Sequence, residues 1–241
     1  MQDEATIRKA VRQHYAEIAT GHRSGELCCG PGLISLDPAI SEAGKLYAGC
    51  GSPVETAEIK EGEVVLDLGC GGGFDVFKAG RIVGPAGRVI GIDATPEMVW
   101  SARDTAKKHN ATNVEFRLAE IEHIPIDSDS VDAVLSNCVI NLTPDKGAVF
   151  REAFRVLKPD GRIVIADILA IQSSELSKHD LEEWAACVAG AIPEQEYTAL
   201  MKKAGFTDIR VRSSPLGDEM HSCCSSTTYS ATLTAKKPVH R

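Results

Sequence analysis

The stretch VVLDLGCGGGFD, Val64 to Asp75, sets an acidic residue, Asp67, just ahead of three alternating glycines, Gly69, Gly71 and Gly73. Apolar residues before the glycines and a helical pattern after them read as strand, tight turn and helix N-terminus, a nucleotide-sized cradle. The next apolar run, RVIGID, ends in Asp93, about twenty residues past the loop, where a carboxylate meets a ribose in such folds. The glycines follow G-x-G-x-G, not the G-x-G-x-x-G of dinucleotide sites. Asp67 is a poor neighbour for a pyrophosphate and a good one for a cationic amino-acid group. Together these features point to S-adenosylmethionine, whose amino and sulfonium groups are both positive.

Eight cysteines are the second chemical signal. The opening segment MQDEATIRKAVRQHYAEIA is charged and helix-like, with no signal-peptide core. A reducing, cytoplasmic setting is therefore expected, and a structural disulfide framework is not. No C-x-x-C occurs, which disfavours a zinc ribbon or a thioredoxin-type site. Two pairs are vicinal, Cys28–Cys29 and Cys223–Cys224; Cys50, Cys70, Cys138 and Cys187 stand alone. A free cysteine is often only a small buried hydrophobe, and Cys70, inside the glycine loop, reads that way. The histidines show no ligand spacing.

These residues need a frame to hold them. Short Val-, Ile- and Leu-rich runs at 63–69, 88–93, 113–118, 131–137 and 161–168 alternate with helical patterns, which predicts a parallel sheet with helices on both faces. Thr95-Pro96 and Thr143-Pro144 each read as an N-cap followed by proline at the first helical position. Helical patterns at 175–190 and 194–204 and strands at 207–213 and 227–235 complete the chain. Three parts are expected: 1–60, one helix and then a loop-rich, cysteine-bearing stretch; 61–170, the cofactor-binding region; and 171–241, helices, two last strands and a Cys-Cys loop between them. Net charge is −8 with no long basic run, and no apolar run approaches the roughly eighteen residues of a membrane span. Neither nucleic acid nor membrane is an expected partner, and a monomer is expected.

The sequence resembles the arsenite S-adenosylmethionine methyltransferases from about residue 46 to 209. The resemblance is carried by YAGCGSPV around Cys50, VVLDLGCGGGFDVFKAG, RVIGIDATPEMVWSAR, NVEFRLAEIEHIPI, SNCVINLTPDK around Cys138, VFREAFRVLKPDGRIVIADI and EEWAACVAGAI around Cys187. The glycine loop alone says only methyltransferase; EIEHIP followed by SNCVINL, with Cys50 and Cys187, is more specific. KPDGR departs from the family, where a second glycine is commoner, at a turn that Asp also tolerates. The resemblance implies the class I methyltransferase fold: α/β, Rossmann-like, with a mostly parallel seven-stranded sheet flanked by helices and appendages at both ends.

It also implies that Cys50, Cys138 and Cys187 bind arsenic(III). Soft trivalent arsenic selects thiolates over carboxylates or imidazoles. The three lie far apart in sequence, so only a fold gathers them. Cys138 follows Asn137 at the end of the fourth strand, on the carboxyl edge where ligands bind in open α/β sheets. Cys50 precedes Gly51-Ser52-Pro53, a turn able to fold over the site, and Cys187 rides on a helical pattern that reads as a lid. Asp67, Gly69, Cys70, Gly71, Gly73, Asp93, Ala94, Met98 and Asn137 are the expected cofactor-binding residues, joined by Glu120 and Ile121 at the adenine on the resemblance.

The expected reaction is methyl transfer to thiolate-bound arsenic, taking arsenite and methylarsenite as substrates in arsenic detoxification. Transfer formally oxidises arsenic, so each further round needs two electrons. Cys28 or Cys29, similar to the family's N-terminal redox cysteines, is the expected donor, re-reduced by thioredoxin or glutathione. Cys223–Cys224 could capture arsenite and pass it inward, or belong to a loose tail. Two other classes stay open: a methyltransferase of a small organic nucleophile such as a quinol, which leaves the cysteines without purpose, and a non-catalytic metalloid-binding protein, against which the intact cofactor loop argues.

Overall fold

The computed structural model describes residues 3–22, 36–172, 181–185, 187–213 and 227–239. One sheet of seven strands organises them: β1 (Val64–Leu68), β2 (Arg88–Asp93), β3 (Val114–Leu118), β4 (Val131–Asn137), β5 (Leu157–Ala170), β6 (Thr207–Ser213) and β7 (Thr228–Lys236). The spatial order is β3-β2-β1-β4-β5-β7-β6. The first five strands pair in parallel, and β7 runs antiparallel between β5 and β6. The strands expected from sequence are all present, and the last two join the same sheet as the cofactor region.

Alternating residues of the buried strands face opposite layers, as the period-2 geometry of a strand requires. Leu66, Ile90, Val134 and Ile163 point towards α6 (Lys146–Val156) and α8 (Glu194–Ala204). Val65, Val89, Ala133 and Val164 point towards α2 (Pro38–Ala43), α4 (Phe74–Val83) and α5 (Pro96–Lys108). Strand order reverses on either side of β1, so a crevice opens at the carboxyl ends of β1 and β4. An N-terminal helix, α1 (Glu4–Ala19), lines that crevice; α7 (Leu181–Ala185) packs against α1, and α3 (Pro53–Thr56) packs against α4, β4 and β5. Among the described residues no helix is long and apolar enough to cross a membrane.

Four local expectations need correction. The stretch 21–53, expected to be loop-rich, contains α2, because Asp37 accepts from the Ala39 and Ile40 N–H groups and Pro38 opens the helix. Thr143-Pro144 does not start a helix: α6 begins at Lys146, capped by Asp145, whose side chain accepts from Ala148 N–H. The helix expected over 175–190 cannot run through Cys187, whose φ is +66°; only α7 is described, and 173–180 lie outside the described residues. The strand expected at 161–168 runs from Leu157 to Ala170. Its KPDGR turn puts Asp160 at φ +63°, a left-handed conformation that Asp tolerates.

Candidate active site

The glycine loop grows directly from β1. Gly69 has φ +65°, and a Cβ there would collide with Val139, so the chain turns where only glycine fits. Cys70 N–H donates to the Ile92 carbonyl at 2.9 Å, and Gly71 N–H to Asp93 Oδ2 at 2.9 Å. Asp93 Oδ1 accepts from Thr95 N–H at 2.8 Å. One carboxylate thus clamps the loop to the start of α5. Gly73 is the exception among the expected cofactor residues: it does not line the cavity. It caps α4 at φ +93°, and a Cβ would press on the Phe116 ring at 2.8 Å.

The loop opens onto a cavity enclosing about 1000 Å³ including its mouth. Asp67, Gly69, Cys70, Gly71, Asp93, Ala94, Met98, Glu120, Ile121, Asn137 and Cys138 all line it. Three of its carboxyls are held in low-dielectric surroundings. Burial, then the charges of Asp75 and Asp93, raise the Asp67 pKa well above the usual range. Burial pushes Asp75 up to about 6, against the Asn137 hydrogen bond and the nearby Lys78. Burial also raises Asp93, against the N–H groups of Thr95 and Gly71. Asp75 Oδ1 is buried without a protein partner. An acidic wall with an unpaired acceptor fits a cationic amino-acid group, and Met98 and Ile121 offer an apolar end for a base. The residues therefore fit S-adenosylmethionine. The Cys70 thiol packs against Gly91, and burial with Asp93 and Asp67 pushes its pKa well up.

Three cysteines meet beside the cavity, and Cys138 lines it. Cys50, Cys138 and Cys187 are all buried in one cluster with Leu142, Ile168, Ala170 and Ala191. Cys138 leaves β4 at φ +54° with its N–H on the Ala166 carbonyl, and Cys187 sits at φ +66°. Left-handed backbone at two non-glycine residues is a cost that accumulates at functional sites. Against the expectation of free thiols, Cys50 and Cys138 are joined by a disulfide, because the fold brings their Cα atoms to 5.9 Å. The Cys187 thiol donates to the Cys138 carbonyl at 2.9 Å. Asp167 stands beside the bonded Cys50–Cys138 pair: a carboxylate oxygen and the two sulfurs lie within 4.8 Å of one another. Asp167 accepts from Asn141, Ile168 N–H and Tyr197, and burial pushes it up to about 7. Cys28, Cys29, Cys223 and Cys224 lie outside the described residues.

Several participants were missed from sequence. Asp75 opens α4 and reads there as an ordinary first-turn acid. Asp167 carried a usable signal, a charge inside the apolar run RIVIADI. Tyr47 bonds Gly51 and Asn137, and its hydroxyl pKa is raised by burial and by Asp75. The N-terminal helix lines the cavity with Arg8, Val11, Arg12 and Tyr15; Arg8 pairs with buried Glu122 at 2.9 Å and Arg12 with Glu120 at 3.5 Å.

A methyltransferase-domain family model matches residues 59–205. The chain is 39% identical to the arsenite methyltransferase of Halobacterium salinarum, over 87% of this chain and 59% of that protein. It is 33% identical to the arsenite methyltransferase of Rattus norvegicus, over 86% of this chain and 61% of that protein. It thus spans less than two thirds of the length of these relatives. The crystal structure of an arsenic(III) S-adenosylmethionine methyltransferase from Chlamydomonas reinhardtii superposes with TM-score 0.68 at 30% identity, covering 85% of this chain and 74% of that one.

Proposed function

Because this chain belongs to the arsenite methyltransferase family, within the methyltransferase-domain fold, we propose that it transfers the methyl group of S-adenosylmethionine to thiolate-bound trivalent arsenic. The observation that carries the reading is the gathering of Cys50, Cys138 and Cys187 at the wall of an acidic cofactor cavity, with Cys138 lining that cavity. When bound, S-adenosylmethionine would supply an electrophilic methyl group: the arsenic lone pair would donate to that carbon, S-adenosylhomocysteine would leave, and arsenic would be formally oxidised to the pentavalent state. Asp75 and Asp67 would hold the cofactor's amino group, Asp93 its ribose, and Met98, Ile121 and Glu120 its base, with Gly69, Gly71 and Ala94 allowing close approach. Arsenite exchanges its three hydroxyls, released as water, for the thiols of Cys50, Cys138 and Cys187. No proton leaves the nucleophile during transfer, so the protein's contribution is alignment.

Two electrons return arsenic to the trivalent state when two thiols close a disulfide. Cys50 and Cys138 are near enough to do so, and in the bonded state they cannot hold arsenic. Cys28 or Cys29 would then pass the oxidation outward to thioredoxin or glutathione in the cytoplasm. Cys223–Cys224 would serve capture of the substrate. Incubation with arsenite, S-adenosylmethionine and a thiol, followed by mass identification of the products, tests the reading. Methylated arsenicals are expected; their absence, with cofactor bound, would refute it.

A further inference from the structure

Asn137 closes β4 and ties together groups from separate segments. The two hydrogens of its side-chain nitrogen are shared among the Tyr47 hydroxyl at 2.8 Å, the Gly51 carbonyl at 3.0 Å and Asp75 Oδ2 at 2.9 Å. Its Oδ1 accepts from the Cys50 backbone N–H at 2.9 Å. Chemistry fixes this orientation of the amide, because the Cys50 backbone N–H only donates and the Gly51 carbonyl only accepts. The turn is pressed against Asn137 as well: a Cβ on Gly49 would meet its nitrogen at 2.5 Å.

Asn137 therefore touches both halves of the site. On one side is Asp75, with its unpartnered Oδ1 and its place in the cofactor cavity. On the other is the Cys50 backbone, whose N–H and carbonyl are met by side chains, Asn137 and Ser230, rather than by a helix or strand. A turn held this way shifts when either side chain shifts. A cation on Asp75 Oδ1 would keep that carboxylate ionised, with Oδ2 aimed at Asn137.

We propose that Asn137 is a positioning residue that couples the two ligands: a cationic amino group seated on Asp75 fixes Asn137, and Asn137 fixes Cys50, so each ligand binds more tightly beside the other. This rests on the arsenic-thiolate reading above. Linkage demands that the effect be reciprocal, and couplings of this kind run from about five- to 150-fold.

The test uses the reduced full chain and S-adenosylhomocysteine, which keeps the amino-acid end and has no methyl to transfer. Arsenite is titrated calorimetrically with and without it. In the unsubstituted protein it should raise arsenite affinity about fivefold or more, and arsenite should raise its affinity by the same factor. In Asn137→Ala both ligands should still bind, with the factor reduced to about one. Arsenite binding indifferent to S-adenosylhomocysteine, or a factor that survives in Asn137→Ala, overturns the coupling and leaves arsenic binding standing. No arsenite binding by the unsubstituted protein overturns both readings. Hydrogen exchange at the Cys50 amide of the unsubstituted chain needs no variant to fold: S-adenosylhomocysteine alone should slow it several-fold, and an unchanged rate overturns the coupling.

Discussion

Asp75 carries two opposed consequences of one buried carboxyl. Burial lifts its pKa to about 6, while a cationic ligand needs the ionised form. Cofactor binding should therefore weaken as pH falls through about 6, by up to about tenfold per unit below it. Calorimetric titration of S-adenosylhomocysteine between pH of about 8 and about 5 checks this. Stability runs the other way. A carboxyl that is harder to ionise folded than unfolded favours the folded state at low pH, and that favour is lost as pH rises from the ordinary 3.8 through about 6. Asp75→Asn should thus raise the thermal midpoint of the free protein at neutral pH while removing most of its cofactor affinity. A midpoint that falls instead would mean that Asp75 is held by partners stronger than Asn137 and Lys78.

At the scale of elements, α1 is a strap over the cavity. Asp3 caps it by accepting from Thr6 N–H, and Val11 and Tyr15 turn inward against the thiol cluster. Its anchor is the ion pair of Arg8 with Glu122, whose side chain is only 2% exposed and also bonds Thr143. Removing one partner of a buried pair strands the other charge and costs about 3–5 kcal/mol when both are fully buried; Arg8 is partly exposed, so the cost here is smaller. Arg8→Ala should speed hydrogen exchange through Glu4–Ala19 and speed release of cofactor, with β1 to β5 still protected. Unchanged protection of α1 would show that its apolar contacts alone hold it.

For the whole molecule, the fold gathers Cys50, Cys138 and Cys187 from three distant segments into one buried cluster, and on the proposed reading their oxidation state should gate arsenite binding. Air-oxidised protein with Cys50 linked to Cys138 should bind S-adenosylhomocysteine normally and arsenite not at all. Reduction should restore arsenite binding; peptide mapping of the linked pair beside the two titrations checks both. Cys138 is held by β4 and Cys187 lies on its carbonyl, whereas Cys50 belongs to a turn held by side chains. Cys50→Ser should fail on arsenite, which offers three exchangeable oxygens, yet still methylate monomethyl arsenic(III), which offers two. Cys138→Ser and Cys187→Ser should fail on both. Equal loss on the two substrates for Cys50→Ser would mean that all three sulfurs are needed throughout.

What was legible in the sequence was what local chemistry dictates. Apolar runs at strand length, Gly69 and Gly73 at sharp turns and a carboxylate closing β2 are each decided by a few adjacent residues, and strand placement and the cofactor loop followed from them. Cys138 could be set on the carboxyl edge because it directly follows a strand. The tertiary structure alone decided the rest, because those features depend on partners far along the chain. Asp75 became an acceptor with a raised pKa only once buried beside Asn137, 62 residues away. Cys187 left the helical pattern because the fold carries its thiol to the Cys138 carbonyl, 49 residues away, through a left-handed backbone that no local propensity favours. The bonding of Cys50 to Cys138, 88 residues apart, and the closing of α1 over the cavity arise in the same way, from distances that a linear pattern does not contain.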